Sequence, residues 1–148
     1  MRILLVEDEE VDFKLIHSIL SKEGHEVIGA HSAVEAMEIL KAARPMPHLI
    51  LMDLLLPWMN GVTFVHLLKN TSNLSSIPVV AITAHVDHFF KDASMQAGFA
   101  DFLVKPVSRR LLLRANCSSC WKGSIIDRIS ESGLDGNVKS CGAQSPRF

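Results

Sequence analysis

Acids, a hydroxyl and an ammonium stand at equivalent places along the chain. Glu7-Asp8 follow the apolar run Ile3 to Val6, Asp53 follows Leu49 to Met52, Thr83 follows Val79 to Ile82, and Lys105 follows Phe102 to Val104. Short continuous apolar runs read as strands buried on both faces of a parallel sheet. The polar groups then collect along one edge, at the carboxyl ends of the strands, where open α/β sheets bind their ligands. Three carboxylates brought together there repel one another and hold their protons more tightly unless a cation neutralises them. A hard divalent ion suits such oxygen donors, and Mg2+, which keeps several waters and takes a few carboxylates plus phosphate, suits them best. Asp8, Glu9 and Glu10 would also complement the positive end of a following helix. That accounts for Glu9 and Glu10, but not for Asp53, which precedes a loop.

The elements that must position these groups alternate between strand-like runs and segments of helical period, the pattern of repeated βα units. After the first strand, Val11, Leu15, Ile16, Ile19 and Leu20 recur at helical spacing until Gly24, a residue suited to a helix stop. His25 to Ala30 reads as a second strand. Ser32 with Glu35 three residues on forms a helix-start signature, and Val34, Met37, Ile39 and Leu40 form the predicted buried face before Pro45. Pro57 and Asn60-Gly61 mark a loop after Asp53, and Val62, Val65 and Leu68 mark the next helix. Pro78 opens the fourth strand; Phe89, Phe90, Ala93 and Ala97 mark a fourth helix closed by Gly98; Asp101 to Val104 is a short fifth strand. The predicted fold is α/β: a doubly wound, flavodoxin-like parallel sheet of five strands in the order 2-1-3-4-5, with helices on both faces. In that order strands one and three are neighbours, which brings Glu7, Asp8 and Asp53 together.

Composition narrows the function classes. A chain of 148 residues with a formal charge of -1 fits one domain and gives no global attraction to nucleic acid or anionic membrane. No apolar stretch approaches the roughly 20 residues that span a bilayer, and no secretory signal pattern opens the sequence, so a cytoplasmic location is expected. The three cysteines lie in the last third, and reduced thiols are expected. Cys117 and Cys120 form a CxxC and Cys141 follows, but the tail lacks a fourth ligand for zinc. A thioredoxin-like motif would follow the first strand of its fold and open a helix, which this one does not. The seven histidines are scattered, and the pair His85 and His88 reads as solvent-facing.

Val6-Glu-Asp-Glu9, Met52-Asp-Leu-Leu-Leu-Pro57 with Asn60-Gly61, Ile82-Thr-Ala84 and Val104-Lys-Pro106, in that order and at those intervals, resemble the receiver domain of two-component response regulators over about the first 115 residues. The resemblance implies that Asp53 is a phosphoacceptor attacking a phosphohistidine of a partner, either a sensor histidine kinase or a histidine phosphotransfer protein. It implies Mg2+ held by Asp8, Asp53 and the main-chain carbonyl of Leu55, with Glu7 acting through water. Lys105 would pair with the phosphoryl oxygens and the Thr83 hydroxyl would move to bond one of them, as phosphoryl transfer requires. A cis peptide between Lys105 and Pro106 is implied as well. Phe102 occupies the aromatic switch position and would turn inward with Thr83, reshaping the surface around the fourth helix, the fifth strand and the fifth helix for a downstream protein target. The expected activity is a phosphorylation-dependent switch, not an enzyme with an external product. The alternative is a phosphotransfer intermediate that hands the group to a histidine phosphotransfer protein.

Departures from the family pattern are informative. Leu55 is apolar where many relatives are polar and His85 stands two past Thr83; both border the path of the hydrolytic water and would tune phosphate lifetime. Ala84 is small, as phosphate access requires. Leu56 and Trp58 make the loop after Asp53 apolar, and partial burial of Trp58 over that loop is expected. Ser108 to Arg114 places two cations near a helix start, the unfavourable end for positive charge, so a weak fifth helix is expected. The receiver is expected to occupy residues 1-116. Residues 117-148 form a Ser/Gly-rich tail, with Ile125, Ile126 and Ile129 suggesting one short amphipathic turn. Rival classes fit less well. A flavin-binding domain would carry a phosphate loop after strand one, where this chain has acids, and an aspartyl phosphatase would commonly carry a second Asp at position 55.

Overall fold

The computed structural model describes residues 1–84, 96–110 and 112. Its element order is β1 (Arg2–Val6), α1 (Glu10–Lys22), β2 (Glu26–Ala30), α2 (Ala33–Ala42), β3 (Leu49–Asp53), α3 (Gly61–Lys69), β4 (Val79–Thr83) and β5 (Asp101–Val104). The strands form one parallel sheet in the order β2-β1-β3-β4-β5, as the alternation of βα units leads one to expect. Most of the predicted fourth helix with His85 and His88, most of the fifth helix, and the tail with its three cysteines lie outside the described residues.

Side chains alternate across each strand, and the apolar runs therefore supply two cores. Leu4, Val6, Ile50, Met52, Val79, Ala81 and Phe102 face α2 and α3, whose Ala33, Ala36, Leu40, Phe64, Val65 and Leu68 close that side. Ile3, Leu5, Leu49, Leu51, Val80, Ile82 and Leu103 face α1 through Ile16 and Leu20, together with Val107 and Leu112. Each fully buried Val, Leu, Ile, Met or Phe side chain contributes about 1.5–3 kcal/mol before the entropy cost of ordering it. By this alternation Glu7 and Asp53 carry on the sequence of positions that face α1.

Helix starts and stops follow the local chemistry. Ser32 Oγ accepts from the Glu35 N–H at 3.1 Å, while Glu35 Oε2 accepts from the His31 N–H at 2.7 Å, a reciprocal cap with its return bond shifted one residue outward. Gly24 takes φ +81° after α1, the left-handed geometry that ends a helix. The helix faces differ from the predicted ones. Val11 and Leu15 on α1 are 71% and 47% exposed, and Val34 on α2 is 54% exposed. On α2 the sheet is met by Ala33 and Ala36, small residues that let the helix approach closely, and Val34 points to the other side. The fifth helix begins with Arg109 paired to Glu23 at the end of α1, its Nε 2.7 Å from Oε1. A carboxylate there offsets the unfavourable placement of that cation.

Candidate functional site

Register places the polar residues. Val6 lies beside Met52, so Glu7 and Asp53, each the next residue on, leave neighbouring strands side by side. Asp53 pairs with Ile82 and Thr83 with Val104, which puts Thr83 and Lys105 each one step further along the same edge. The Lys105 N–H donates to the Thr83 carbonyl at 2.8 Å, and the Leu54 N–H donates to Ile82 at 3.1 Å. The peptide between Lys105 and Pro106 is cis.

Glu7 is fully buried, Asp53 and Thr83 are 6% and 3% exposed, and Asp8 is exposed. The Lys105 ammonium donates to Asp53 Oδ2 at 2.6 Å and forms ion pairs with Asp12 Oδ2 at 2.7 Å and Glu7 Oε2 at 2.9 Å. The other Asp53 oxygen, Oδ1, accepts from the Leu55 N–H at 2.8 Å, so the loop after β3 fixes the rotation of its own acid. Glu7 Oε1 accepts from the Glu9 N–H at 3.2 Å. Glu7 Oε2, though close to the ammonium, receives no directed hydrogen bond.

Burial pushes the Glu7 carboxyl up from 4.5 to about 7; the nearby Asp53 charge adds to the rise and Lys105 opposes it. For Lys105, burial works against the charged form, but the close carboxylates of Asp12, Asp53 and Glu7 outweigh it and hold the ammonium above the ordinary lysine value. Glu7, Asp8 and Asp53 each bring a carboxylate oxygen within 4.8 Å of the others. These oxygen donors, one of them buried without a hydrogen-bond donor, fit a hard divalent cation that keeps some of its waters.

The loop that follows Asp53 is built on Asn60-Gly61. Asn60 Oδ1 caps α3 by accepting from the Thr63 N–H at 2.9 Å, and the Gly61 N–H returns to the Leu54 carbonyl at 3.1 Å. A Cβ at Gly61 would lie 3.2 Å from Leu54 Cα and 3.3 Å from the Asp53 carbonyl oxygen, so the chain needs glycine to close that near the acid. Leu56 is buried, whereas Leu55 is 60% exposed and Trp58, in a left-handed conformation at φ 69°, is 97% exposed. Partial burial of Trp58 over the loop is therefore wrong: the left-handed turn carries the indole away from the core. Phe102 lies inside, 3% exposed, with its ring centroid 5.7 Å from that of Phe99.

Of the residues singled out in the sequence, Glu7, Asp53 and Lys105 are in direct contact or ion-pair range of one another. Asp8 joins the two carboxylates, Thr83 lines the same edge, and Ala84 beside it is exposed. Two neighbours were not singled out. Asp12 is the second-nearest acid to Lys105, and His31 Nδ1 lies 3.2 Å from the Glu7 carbonyl. Asp12 stands four residues past Asp8, about one helical turn, which was the available signal, but an acid in a first helical turn is explained equally well by the helix dipole.

Comparison with known proteins agrees with this geometry. The family model described as response regulator receiver domain matches residues 3–116. The polar-differentiation response regulator DivK of Brucella anthropi is 33% identical over 106 residues, covering 72% of this chain and 85% of DivK. The chemotaxis response regulator CheY4 of Vibrio cholerae superposes with a TM-score of 0.72 at 26% identity, over 77% of this chain and 93% of that one. The receiver domain of sensor histidine kinase PA1611 from Pseudomonas aeruginosa, solved with a magnesium ion coordinated in its active-site cleft, gives 0.70 at 31% identity over 77% and 92% of the two chains.

Proposed function

This chain belongs to the response regulator receiver family of two-component signalling, and on that premise we propose that Asp53 is its phosphoacceptor, loaded from a phosphohistidine of a sensor histidine kinase or of a histidine phosphotransfer protein. The observation that carries the reading is the Lys105 ammonium 2.6 Å from a carboxylate that is itself nearly buried. An acid so placed is oriented, and it has a cation beside it to follow the charge it acquires.

One Asp53 oxygen attacks phosphorus; the O–P bond forms as the P–N bond to the donor imidazole breaks. The electron pair returns to the ring nitrogen, which takes up a proton from solvent. No general base is needed because the nucleophile is already an anion. The Leu55 N–H holds the carboxylate at its observed rotation, which serves the positioning that phosphoryl transfer depends on. Lys105 turns from Asp53 toward the phosphoryl oxygens, and the Thr83 hydroxyl donates to one of them. Mg2+, held by Asp8, Asp53 and the Leu55 carbonyl with Glu7 acting through water, would neutralise charge on those oxygens.

Movement of Thr83 is read on the adjacent strand. Thr83 pairs with Val104, and Ala81 with Phe102, so a shift at the end of β4 bears on the packing of Phe102. The outcome is a population shift of the surface around β5 that a downstream protein target recognises. Receiver domains are signalling switches, and this one would catalyse only its own loading and unloading. We assign the receiver unit to residues 1–116, with 117–148 as a separate tail. A cytoplasmic setting is part of the proposal; no helix among the described residues is long and apolar enough to cross a membrane.

The test is labelling with acetyl phosphate. Wild type should take up one phosphoryl group in a Mg2+-dependent reaction, and Asp53→Asn should take up none. Persistent labelling of the variant would remove Asp53 from the nucleophile role.

A further inference from the structure

The Asp12 carboxylate lies 2.7 Å from Lys105 Nζ, nearer than Glu7 at 2.9 Å and almost as near as Asp53 at 2.6 Å. It comes from the first turn of α1, the helix that covers the face of the sheet on which Glu7 and Asp53 fall. An ammonium has only three N–H donors, and three carboxylates surround this one. Among the described residues, the acids whose oxygens gather within 4.8 Å of one another are Glu7, Asp8 and Asp53. Asp12 therefore engages the lysine without belonging to that cluster.

We propose that Asp12 is a positioning residue that restrains Lys105, competing with the incoming phosphoryl oxygens for the ammonium donors and so slowing the loading of Asp53. This rests on the phosphoacceptor reading above. Loading moves negative charge from the Asp53 carboxylate onto phosphoryl oxygens, and Lys105 must turn to follow it. A carboxylate on α1 pulls against that turn, because it keeps its own claim on one N–H donor throughout the transfer. The side chains of Asp12 and Lys105 are 36% and 17% exposed, so water weakens the restraint without abolishing it.

The experiment measures the first-order rate of labelling by acetyl phosphate at saturating Mg2+ in the full chain. Asp12→Asn, which keeps shape and removes charge, should speed labelling roughly threefold to fivefold, with the Mg2+ midpoint unchanged. Asp12→Glu, which restores the charge, should return the rate toward wild type. The gain should vanish in a Lys105→Met background; a gain that persists there would show simple relief of repulsion on the phosphodonor and overturn the proposal. In parallel, the 15N–1H signal of the Lys105 ammonium should shift in Asp12→Asn, and an unmoved signal or an unchanged or slower labelling rate would overturn it too. A wild-type protein that takes no label on Asp53 would instead defeat the phosphoacceptor reading, and this inference with it.

Discussion

Lys105 Nζ sits 2.6 Å from Asp53 Oδ2, one cation joining the end of β5 to the end of β3 across the intervening strand β4. Remove it and the carboxylates of Glu7, Asp12 and Asp53 are left facing one another without the cation that pairs with all three among the described residues. Lys105→Met should therefore lower stability by about 1–3 kcal/mol in the absence of divalent cation, measured by urea unfolding. Mg2+ should restore part of that loss, because it neutralises the same acids. A variant as stable as wild type in chelator would show that the three acids do not depend on the lysine.

Glu7 supplies a pH dependence. Its carboxyl is raised from 4.5 to about 7, chiefly by burial, so the folded protein keeps a proton that the unfolded chain has already released. That contribution to stability is fully present below pH 4.5 and is lost as pH rises through about 7. Lys105, held above its ordinary value, is protonated in both states across this window and adds no slope. In chelator, the Tm of wild type should fall relative to Glu7→Gln by roughly 2–6 °C between about pH 5 and pH 8. A constant difference between the two proteins would count against a raised Glu7.

Thr83 separates loading from response. It is buried at the edge that Asp53 shares, but no bond to phosphorus involves its hydroxyl in the proposed reaction. Thr83→Ala should keep at least a third of the wild-type labelling rate, on the order of 1 kcal/mol or less in barrier. It should also lose the phosphorylation-dependent NMR shift changes at Phe102. Unaltered shift changes would take Thr83 out of the switch.

Gly29 tests the packing beneath the site. A Cβ there would lie 2.9 Å from Phe13 Cε2 and closer still to Cζ, and the Phe13 ring packs at a tilt against His31, their centroids 4.6 Å apart, while His31 Nδ1 approaches the Glu7 carbonyl. Gly29→Ala should cost about 1–2 kcal/mol by overpacking. The penalty should shrink in a Phe13→Leu background, where the ring no longer occupies that space, and additive losses in the urea midpoints would refute the contact.

The fold and the site were legible in the sequence to different depths. Strands buried on both faces are written as apolar runs, so the residues following Val6, Met52, Ile82 and Val104 stand out whichever face each helix turns to the sheet. Helix faces were harder. On α2, a periodicity count favours Val34 over Ala33 and Ala36 because hydrophobicity outranks size in it, whereas close packing against the sheet favours the small side chains. Phe64, fully buried, escaped notice for a related reason: Val62 offered a competing helical phase. The role of Asp12 is harder to read because it is set by Lys105, 93 residues away in sequence and adjacent only once five strands are in register. Trp58 was misjudged because its exposure follows from a left-handed backbone, which residue type disfavours.

That left-handed turn gives the molecule an optical reporter of its own. The chain holds two tryptophans, at positions 58 and 121, so a Trp121→Phe protein would emit from Trp58 alone. Its indole stands in water five residues beyond Asp53, and any molecule that settles on the loop to reach that acid must change the colour or intensity of the light it gives back.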